Sequence, residues 1–231
     1  MLKPPRLSRE RLDGTAVDIE FLLIAVIQGL ALTTLAVESE PVIGEAEWIY
    51  APYVLAGFVL ILNFWALAII HSISFISWPF DLVHTLLYFL VGFVEVAGFT
   101  EVTHPARWFV FMFVFFLVSA LLYAWDMKMI REREREEGLD GRPARRALYA
   151  VVARDQMVQL RVMLPGALIF HGAIVLLLWL RPDAVLAGGR HLWFVGAQIV
   201  FGLVFLGLVV RDYGVRERLI ADAAAEDEND R

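Results

Sequence analysis

The segment from Tyr50 to Phe99 is apolar almost without interruption, and it limits the fold more than any other stretch. As a single α-helix it would be about 75 Å long, whereas the hydrocarbon core of a bilayer is roughly 30 Å thick. The segment must therefore fold back once. We predict the turn at residues 71–79, where three serines precede a proline, with Ser77 and Pro79 in the first turn of the next helix.

Four further apolar runs, each long enough to span a membrane, flank this pair of helices. Hydrophobic residues make up 59% of the 231 residues, against about 45–50% in ordinary soluble domains. The sequence therefore predicts an all-α, polytopic integral membrane protein with six transmembrane helices in a domain at residues 17–211. The spans are predicted at about residues 17–37, 50–71, 79–99, 108–126, 160–180 and 192–210.

Three polar segments complete the predicted organisation. Residues 1–16 form a short lead, residues 127–159 form a helical elbow between the fourth and fifth spans, and residues 212–231 form an acidic tail. Glycines break the elbow at positions 138 and 141, and an amphipathic stretch then runs into the fifth span with an expected kink at Pro165. The composition of the acidic end of the tail, residues 225–230, predicts a frayed or disordered segment.

The basic residues indicate the orientation. All lysines and arginines except Arg107, Arg181 and Arg190 lie in the lead, in residues 128–161 or in residues 211–231. Six spans place those three regions on one side of the membrane, and cytoplasmic loops carry an excess of such residues. Both termini are therefore predicted to be cytoplasmic. Because Arg, Ala and Val are used heavily, the expected location is the cell membrane of a bacterium, the inner membrane.

Several function classes lack their usual motifs. The chain has no cysteine, which excludes disulfides, thiolate metal sites and cysteine nucleophiles. It also has no Walker phosphate loop, dinucleotide glycine pattern, His-x-x-x-His pair or Gly-x-Ser-x-Gly elbow. The net charge of −6 gives no support to nucleic-acid binding. The sequence favours a protein that is not an enzyme and that has no metal site.

A polar stripe marks the third span. Asp81, His84, Tyr88, Gly92 and Glu95 are 3, 4, 4 and 3 residues apart, so they lie on one side of a helix. Ionisable side chains are costly inside a membrane and usually face other helices or water. The stripe is therefore predicted to face inward.

The two acids of the stripe each allow two interpretations. Asp81 either stabilises the helix N-terminus or forms an entry point for protons or cations. Glu95 either pairs with Arg107 and the outer headgroups or binds a proton or cation within the membrane, since a short acid reaches the interface less easily than a long basic side chain.

Three other polar residues lie within the spans. His71 ends the second span and is predicted to approach His84, either as a pair bonded to the serine-rich turn, as a proton-exchanging group, or as an axial ligand of haem. His171 lies in the middle of the fifth span and must face a helix or a cavity. Asn63 is expected either to join helices or to contact a solute.

The layout of the first three spans resembles the six-helix units of the endolysosomal and bacterial potassium channels outside the voltage-gated family. The resemblance rests on Ala31-Leu-Thr-Thr-Leu-Ala-Val-Glu38 at the end of the first helix, on Trp65 and His71 in the second, and on Pro79-Phe80 at the start of the third. The Phe-Ser-Asp motif of that family is replaced here by Val26-Ile-Gln-Gly29, so no pore residue is assigned.

The leading hypothesis is a transporter or channel for protons, a cation or a small solute along the stripe. The candidate residues are Glu95 and His84 as titrating groups, with Asp81, Asn63, His71 and His171 along the path. One alternative is a redox protein with haem held by two of His71, His84 and His171. The other is a scaffold or regulatory subunit that binds a cytoplasmic partner through residues 128–160. The lipid bilayer is the expected partner in each case, and a homo-oligomer is compatible with all three.

Overall fold

The computed structural model describes residues 9–74, 81–137 and 142–229, and these ranges are helical apart from short turns, with no strand in them. Two short 3₁₀ turns lie at Trp48–Tyr50 and Ala187–Gly189, and one π-helical turn lies at Gln159–Met163. The α-helices in the described ranges are α1 Arg9–Glu38, α2 Glu40–Gly44, α3 Ala51–Ser74, α4 Leu82–Phe99, α5 Pro105–Glu137, α6 Pro143–Val158, α7 Leu164–Leu180, α8 Pro182–Leu186 and α9 His191–Asn229.

Six helical segments within these ranges are long and apolar enough to cross a membrane, which confirms that part of the prediction. They are Phe21–Gly44, Trp48–Ile70, Leu82–Phe99, Pro105–Arg135, Pro143–Leu180 and His191–Glu226. The predicted turn at Ser77 and Pro79, and the helix break at positions 138 and 141, lie outside the described residues.

The outward faces of these helices are also apolar. Trp179 and Trp193 are 80% and 82% exposed, and Phe93 and Ile169 are nearly as open. Soluble monomers rarely expose broad apolar surfaces of this kind. A hydrocarbon environment would cover these faces, which makes the structure compatible with a multi-pass membrane protein.

The helices pack as an up-and-down bundle with two ends. α4 lies between α1 and α5, α3 lies between α1 and α9, and α7 packs against α5. We call the end where α4 begins and where α5 and α9 finish the elbow end. The opposite end has a core of buried side chains, and its largest members are Trp108, Tyr53, Phe99 and Phe109 from α3, α4 and α5.

The C-terminal segment is helical as far as Asn229, although fraying was expected at its acidic end, residues 225–230. α9 continues as one helix to Asn229. Ala223 is fully buried against α5 and α6. The Glu226 carboxylate accepts hydrogen bonds from the backbone N–H groups of Ala144 (3.3 Å) and Arg145 (3.1 Å), at the start of α6. A carboxylate is stabilising at a helix N-terminus. The start of α6 therefore holds the end of α9 in place.

The connection from α6 to α7 also differs from the expected proline kink. The helix widens over one turn at Gln159–Met163, and Pro165 follows in the first turn of α7. Proline has no N–H and its ring crowds the carbonyl group four residues earlier, here that of Arg161. A single π-helical turn accommodates both the missing N–H and the crowded carbonyl group. The distortion therefore precedes the proline.

Gly92 allows α1 and α4 to approach closely, and this gives a first prediction. A Cβ atom at Gly92 would collide with Cγ2 of Ile27. We expect Gly92→Leu to destabilise the folded state by about 1–3 kcal/mol, because the overpacked helices must separate. Thermal unfolding of the detergent-purified protein measures the effect. Gly29→Leu is the matched control, since nothing lies within 4 Å of a Cβ atom there. Equal melting temperatures of the two variants would contradict the close approach.

Candidate functional site

The polar stripe of α4 faces inward, against α1 and α5. Tyr88, Gly92 and Glu95 are buried, and the side chain of His84 is 13% exposed. Each polar member of the stripe contacts another helix or caps its own. The stripe is therefore an internal feature of the bundle.

Asp81 is the N-cap residue of α4. Its Oδ1 atom accepts hydrogen bonds from the backbone N–H of His84 (2.7 Å) and from the indole N–H of Trp125 on α5 (3.0 Å). The carboxylate thus satisfies an otherwise free helix donor and ties the start of α4 to α5. This geometry supports the interpretation of Asp81 as a helix-terminal group.

The most concentrated polar chemistry lies one turn further along α4. The Nε2 atom of His84 lies 3.2 Å from Oδ1 of Asp126 on α5, and the Asp126 carboxylate is almost fully buried. Gln156 on α6 donates to the carbonyl oxygen of Tyr123 (2.9 Å) and lies 3.5 Å from Oδ2 of Asp126. Three helices therefore meet around one carboxylate.

An ion pair lies beside the contact between His84 and Asp126. The guanidinium of Arg216 on α9 contacts Asp155 on α6 at 2.7 Å, and both side chains are mostly buried. The attraction between two charges is stronger when water screens them poorly. Removing either partner would leave the other as an uncompensated buried charge. It fixes α9 to α6 at the elbow end.

These groups border an internal space that we call the polar cavity, with a volume of about 70 Å³. Its apolar wall comes mainly from α1 and α3, with Leu122 of α5 and Val152 of α6. A space of this size holds several water molecules, because one needs only about 10–15 Å³ by this kind of measure. Its polar wall consists of His84, Thr85, Tyr88, Tyr123, Asp126, Gln156, Gln159 and Arg216.

A second space, the apolar cavity, has a volume of about 90 Å³ and lies between α3, α5, α7 and α9. Most of its wall is aliphatic or aromatic. Its wall shares four residues with that of the polar cavity, so the two spaces adjoin. The shared residues are Phe64, Leu67, Tyr123 and Gln159.

Glu95 lies apart from both cavities, fully buried between α4 and α1. Its Oε2 atom accepts a hydrogen bond from the side-chain amide of Gln28 at 3.1 Å. Arg107, the partner considered from the sequence, instead contacts Glu101 at 3.4 Å. Among the described residues, the Oε1 atoms of Glu95 and of Gln28 have no hydrogen-bond donor.

Asn63 joins α3 to α9. Its amide N–H group donates to the carbonyl oxygens of Val59 (2.8 Å) and Gly202 (3.0 Å). This arrangement favours the interhelical interpretation, although the side chain also lines the apolar cavity. On the neighbouring face of α9, Gln198 accepts a hydrogen bond from the indole of Trp108 at 3.1 Å.

His171 is buried on α7 among aromatic rings of α5 and α7. Its Nδ1 atom donates to the carbonyl oxygen of Ala167 at 2.9 Å. The rings of Phe116 and Phe170 have centroids 4.9 and 5.0 Å from that of the imidazole. The side chain is therefore held by a local hydrogen bond and by aromatic packing.

The histidines do not converge on a haem site in the part of the chain that the structure describes. His84 faces the Asp126 carboxylate, whereas His171 lies in a different helix pair and borders neither cavity. The side chain of His71 lies outside the described part. Within that same part, no group of three or more acidic or histidine side chains is arranged to hold a metal ion.

Asp126, Gln156 and Arg216 are the site residues that the sequence interpretation missed. From the sequence, residue 126 is only the predicted end of the fourth span, although Asp126 is the first acid after the apolar part of α5. That position was a usable signal, because a lone acid at the edge of a span commonly meets a partner. Gln156 lies in the predicted elbow and Arg216 in the predicted tail, and nothing in their local sequence distinguishes them.

Comparison with known proteins gives no further assignment. No family model, curated protein or solved structure matches the chain.

The cap at Asp81 can be separated from its charge by two substitutions. Asp81→Ala is expected to destabilise the protein by about 0.5–2 kcal/mol, because the free N–H of α4 loses its acceptor. Asp81→Asn keeps an acceptor oxygen and should unfold close to the wild-type temperature. Thermal unfolding of both purified variants is the measurement. If the asparagine variant were as unstable as the alanine variant, the charge rather than the cap would be the stabilising element.

Proposed function

We propose that this chain is a multi-pass protein of the cell membrane, with both termini in the cytoplasm, that transports protons or a small solute accompanied by a proton. The observation that carries the proposal is the contact between His84 and Asp126 on the wall of an internal cavity. In this orientation the elbow end is cytoplasmic, and the polar cavity is the site of uptake.

The chemistry of the pair suits proton uptake. An imidazole changes its charge near neutral pH more readily than any other side chain, and a carboxylate beside it offers a second position for the same proton. Ionisable groups at membrane depth commonly mark proton relays when they face a cavity large enough for water. The polar cavity provides that space next to both groups.

Glu95 supplies a second proton-binding group deeper in the bundle. The Oε1 atoms of Glu95 and Gln28 are both buried acceptors that lack a donor in the described structure. A proton on the carboxyl group would provide one, and buried polar atoms are normally hydrogen-bonded. We therefore include Glu95 as a site that takes up a proton after the cavity pair.

The scaffold alternative receives less support from the elbow. Its apolar residues pack against α9 of the same chain, in a core that includes Met129, Ile130, Leu148 and Ala223. Among the described residues of the elbow, the exposed surface left for a cytoplasmic partner is mostly polar and includes Arg131, Glu134 and Arg146. The haem alternative requires two convergent histidines, and His84 and His171 border no common cavity.

Proton flux into liposomes tests the cavity pair. Purified protein is reconstituted with a pH-sensitive dye inside, and a potassium diffusion potential drives uptake. We expect Asp126→Asn to reduce flux about tenfold or more, because a positioned proton-transfer group contributes at least that much to a rate. Asp183→Asn is the control, since Asp183 is an exposed acid at the opposite end of the bundle. Wild-type flux from folded Asp126→Asn protein would remove the proposal.

The same assay tests Glu95 separately. Glu95→Gln retains the size of the side chain and an acceptor for the Gln28 amide, but it cannot carry a proton. We expect it to abolish flux while the melting temperature stays near that of the wild type. Full flux in this variant would show that protons do not pass through the Glu95 position, and the path would then be limited to groups around the polar cavity.

A further inference from the structure

We propose that the apolar cavity is a binding site for a small, neutral primary amide of about three or four heavy atoms, such as formamide or acetamide. The N–H group of the ligand would donate to Asn63 on α3, and its carbonyl oxygen would accept from Ser119 on α5. The proposed function uses His84, Asp126 and Glu95, and none of these residues lines the apolar cavity. The site is therefore additional to that function and does not depend on it.

The side-chain oxygen of Asn63 is a buried acceptor on the wall of this cavity. The amide nitrogen donates to the carbonyl oxygens of Val59 at 2.8 Å and Gly202 at 3.0 Å. The reverse orientation of the amide would place its oxygen against two other oxygens, so these contacts fix the orientation. The side chain is 6% exposed, and its Oδ1 atom has no hydrogen-bond partner among residues 9–74, 81–137 and 142–229. A bound molecule with a donor would satisfy this oxygen.

Ser119 contributes a second polar group to the same cavity, from a different helix. Its side chain is 4% exposed, and its Oγ atom also lacks a hydrogen-bond partner within the described residues. A hydroxyl group can donate or accept, whereas the Asn63 oxygen can only accept. A ligand that satisfies both residues must therefore carry a donor, and an acceptor beside it can bind the hydroxyl. A primary amide carries both groups on one carbon atom.

The rest of the wall favours a ligand that is neutral and partly apolar. No Asp, Glu, Lys, Arg or His lines this cavity among the residues that the structure describes. A charged ligand would lose its hydration there without meeting an opposite charge, which is costly. Most of the wall is made of side chains such as Val59, Leu60 and Phe115. A methyl group of the ligand would gain free energy by leaving water for this surface.

The volume of the cavity limits the size of the ligand. An apolar cavity of about 150 Å³ admits benzene, which has six heavy atoms. In proportion, the volume of about 90 Å³ found here admits about three or four heavy atoms. Water at its liquid density would fill the same space with about three molecules, each of which normally makes about three hydrogen bonds. Because the wall is mostly apolar, a small amide uses the space better than a group of water molecules does.

Ligands of equal size test the proposal on the wild-type protein. Acetamide, acetone and acetate each have four heavy atoms, but acetone lacks the N–H donor and acetate is charged. The measurement is saturation-transfer NMR of the detergent-purified protein, which detects the weak binding expected of so small a ligand. We expect saturable binding of acetamide, binding of acetone that is weaker by about tenfold or more, and no binding of acetate. Benzamide is too large for the cavity and should not bind.

Two variants with matched controls test whether the amide binds in the apolar cavity. Ala167 lines this cavity, and Ala167→Phe should weaken acetamide binding at least about tenfold by filling the space. Ala25→Phe makes the same change on an exposed face of α1 and should bind as the wild type does. Ser119→Ala removes one hydrogen-bonding group and should weaken binding about three- to tenfold. In the control Ser39→Ala, the lost hydroxyl contacts Ala36 outside the cavity, and binding should not change.

Three results would overturn the proposal. The first is no saturable binding of acetamide to the wild type, because the cavity would then hold water at most. The second is equal binding of acetamide and acetone, because the Asn63 oxygen would then not recognise a donor. The third is equal binding of acetamide by the wild type and by folded Ser119→Ala. The comparison of ligands requires no variant, so it decides the question even if Ala167→Phe does not fold.

Discussion

The bundle depends on the need of polar groups in an apolar interior to find partners among the helices themselves. Lipid tails are as apolar as leucine, so apolar contact alone distinguishes poorly between one helix neighbour and another. Polar contacts, by contrast, favour particular pairs of neighbouring helices. Glu95 with Gln28 joins α4 to α1, and Asn63 with Gly202 joins α3 to α9. His84 with Asp126 joins α4 to α5. Each pair holds only if its two helices are adjacent, and together these pairs fix the order of helices around the bundle.

The number of long apolar helices and the inward face of α4 could be predicted, because both depend on local quantities. Run length determines whether a helix can span a bilayer, and the spacing of polar residues determines which side they share. Neither quantity identifies which helix packs against a given face. Glu95 was considered with Arg107, 12 residues away, yet its partner is Gln28, 67 residues away. The Asp126 site was missed for the same reason, since its partners come from α4 and α6.

The C-terminal segment shows how tertiary contacts override an argument from composition. Its acidic, alanine-rich sequence predicts a solvated end, but alanine and glutamate are also strong helix formers. What decides between these tendencies is the start of α6, whose free N–H groups attract the Glu226 carboxylate. The elbow, in turn, buries its apolar side against α9 and not against an outside partner. Each segment is thus ordered by the other.

The π-helical turn explains why both cavities meet beneath the elbow. An extra residue in one turn shifts the face that α6 presents relative to the face that α7 presents. Gln156 borders the polar cavity, Gln159 borders both, and Met163 and Leu164 border the apolar one. A regular helix through this region would keep its polar and apolar positions in a single register. The widened turn, placed just before Pro165, lets one continuous segment line a polar space and then an apolar space. The junction between the two environments is therefore encoded in the backbone as well as in the side chains.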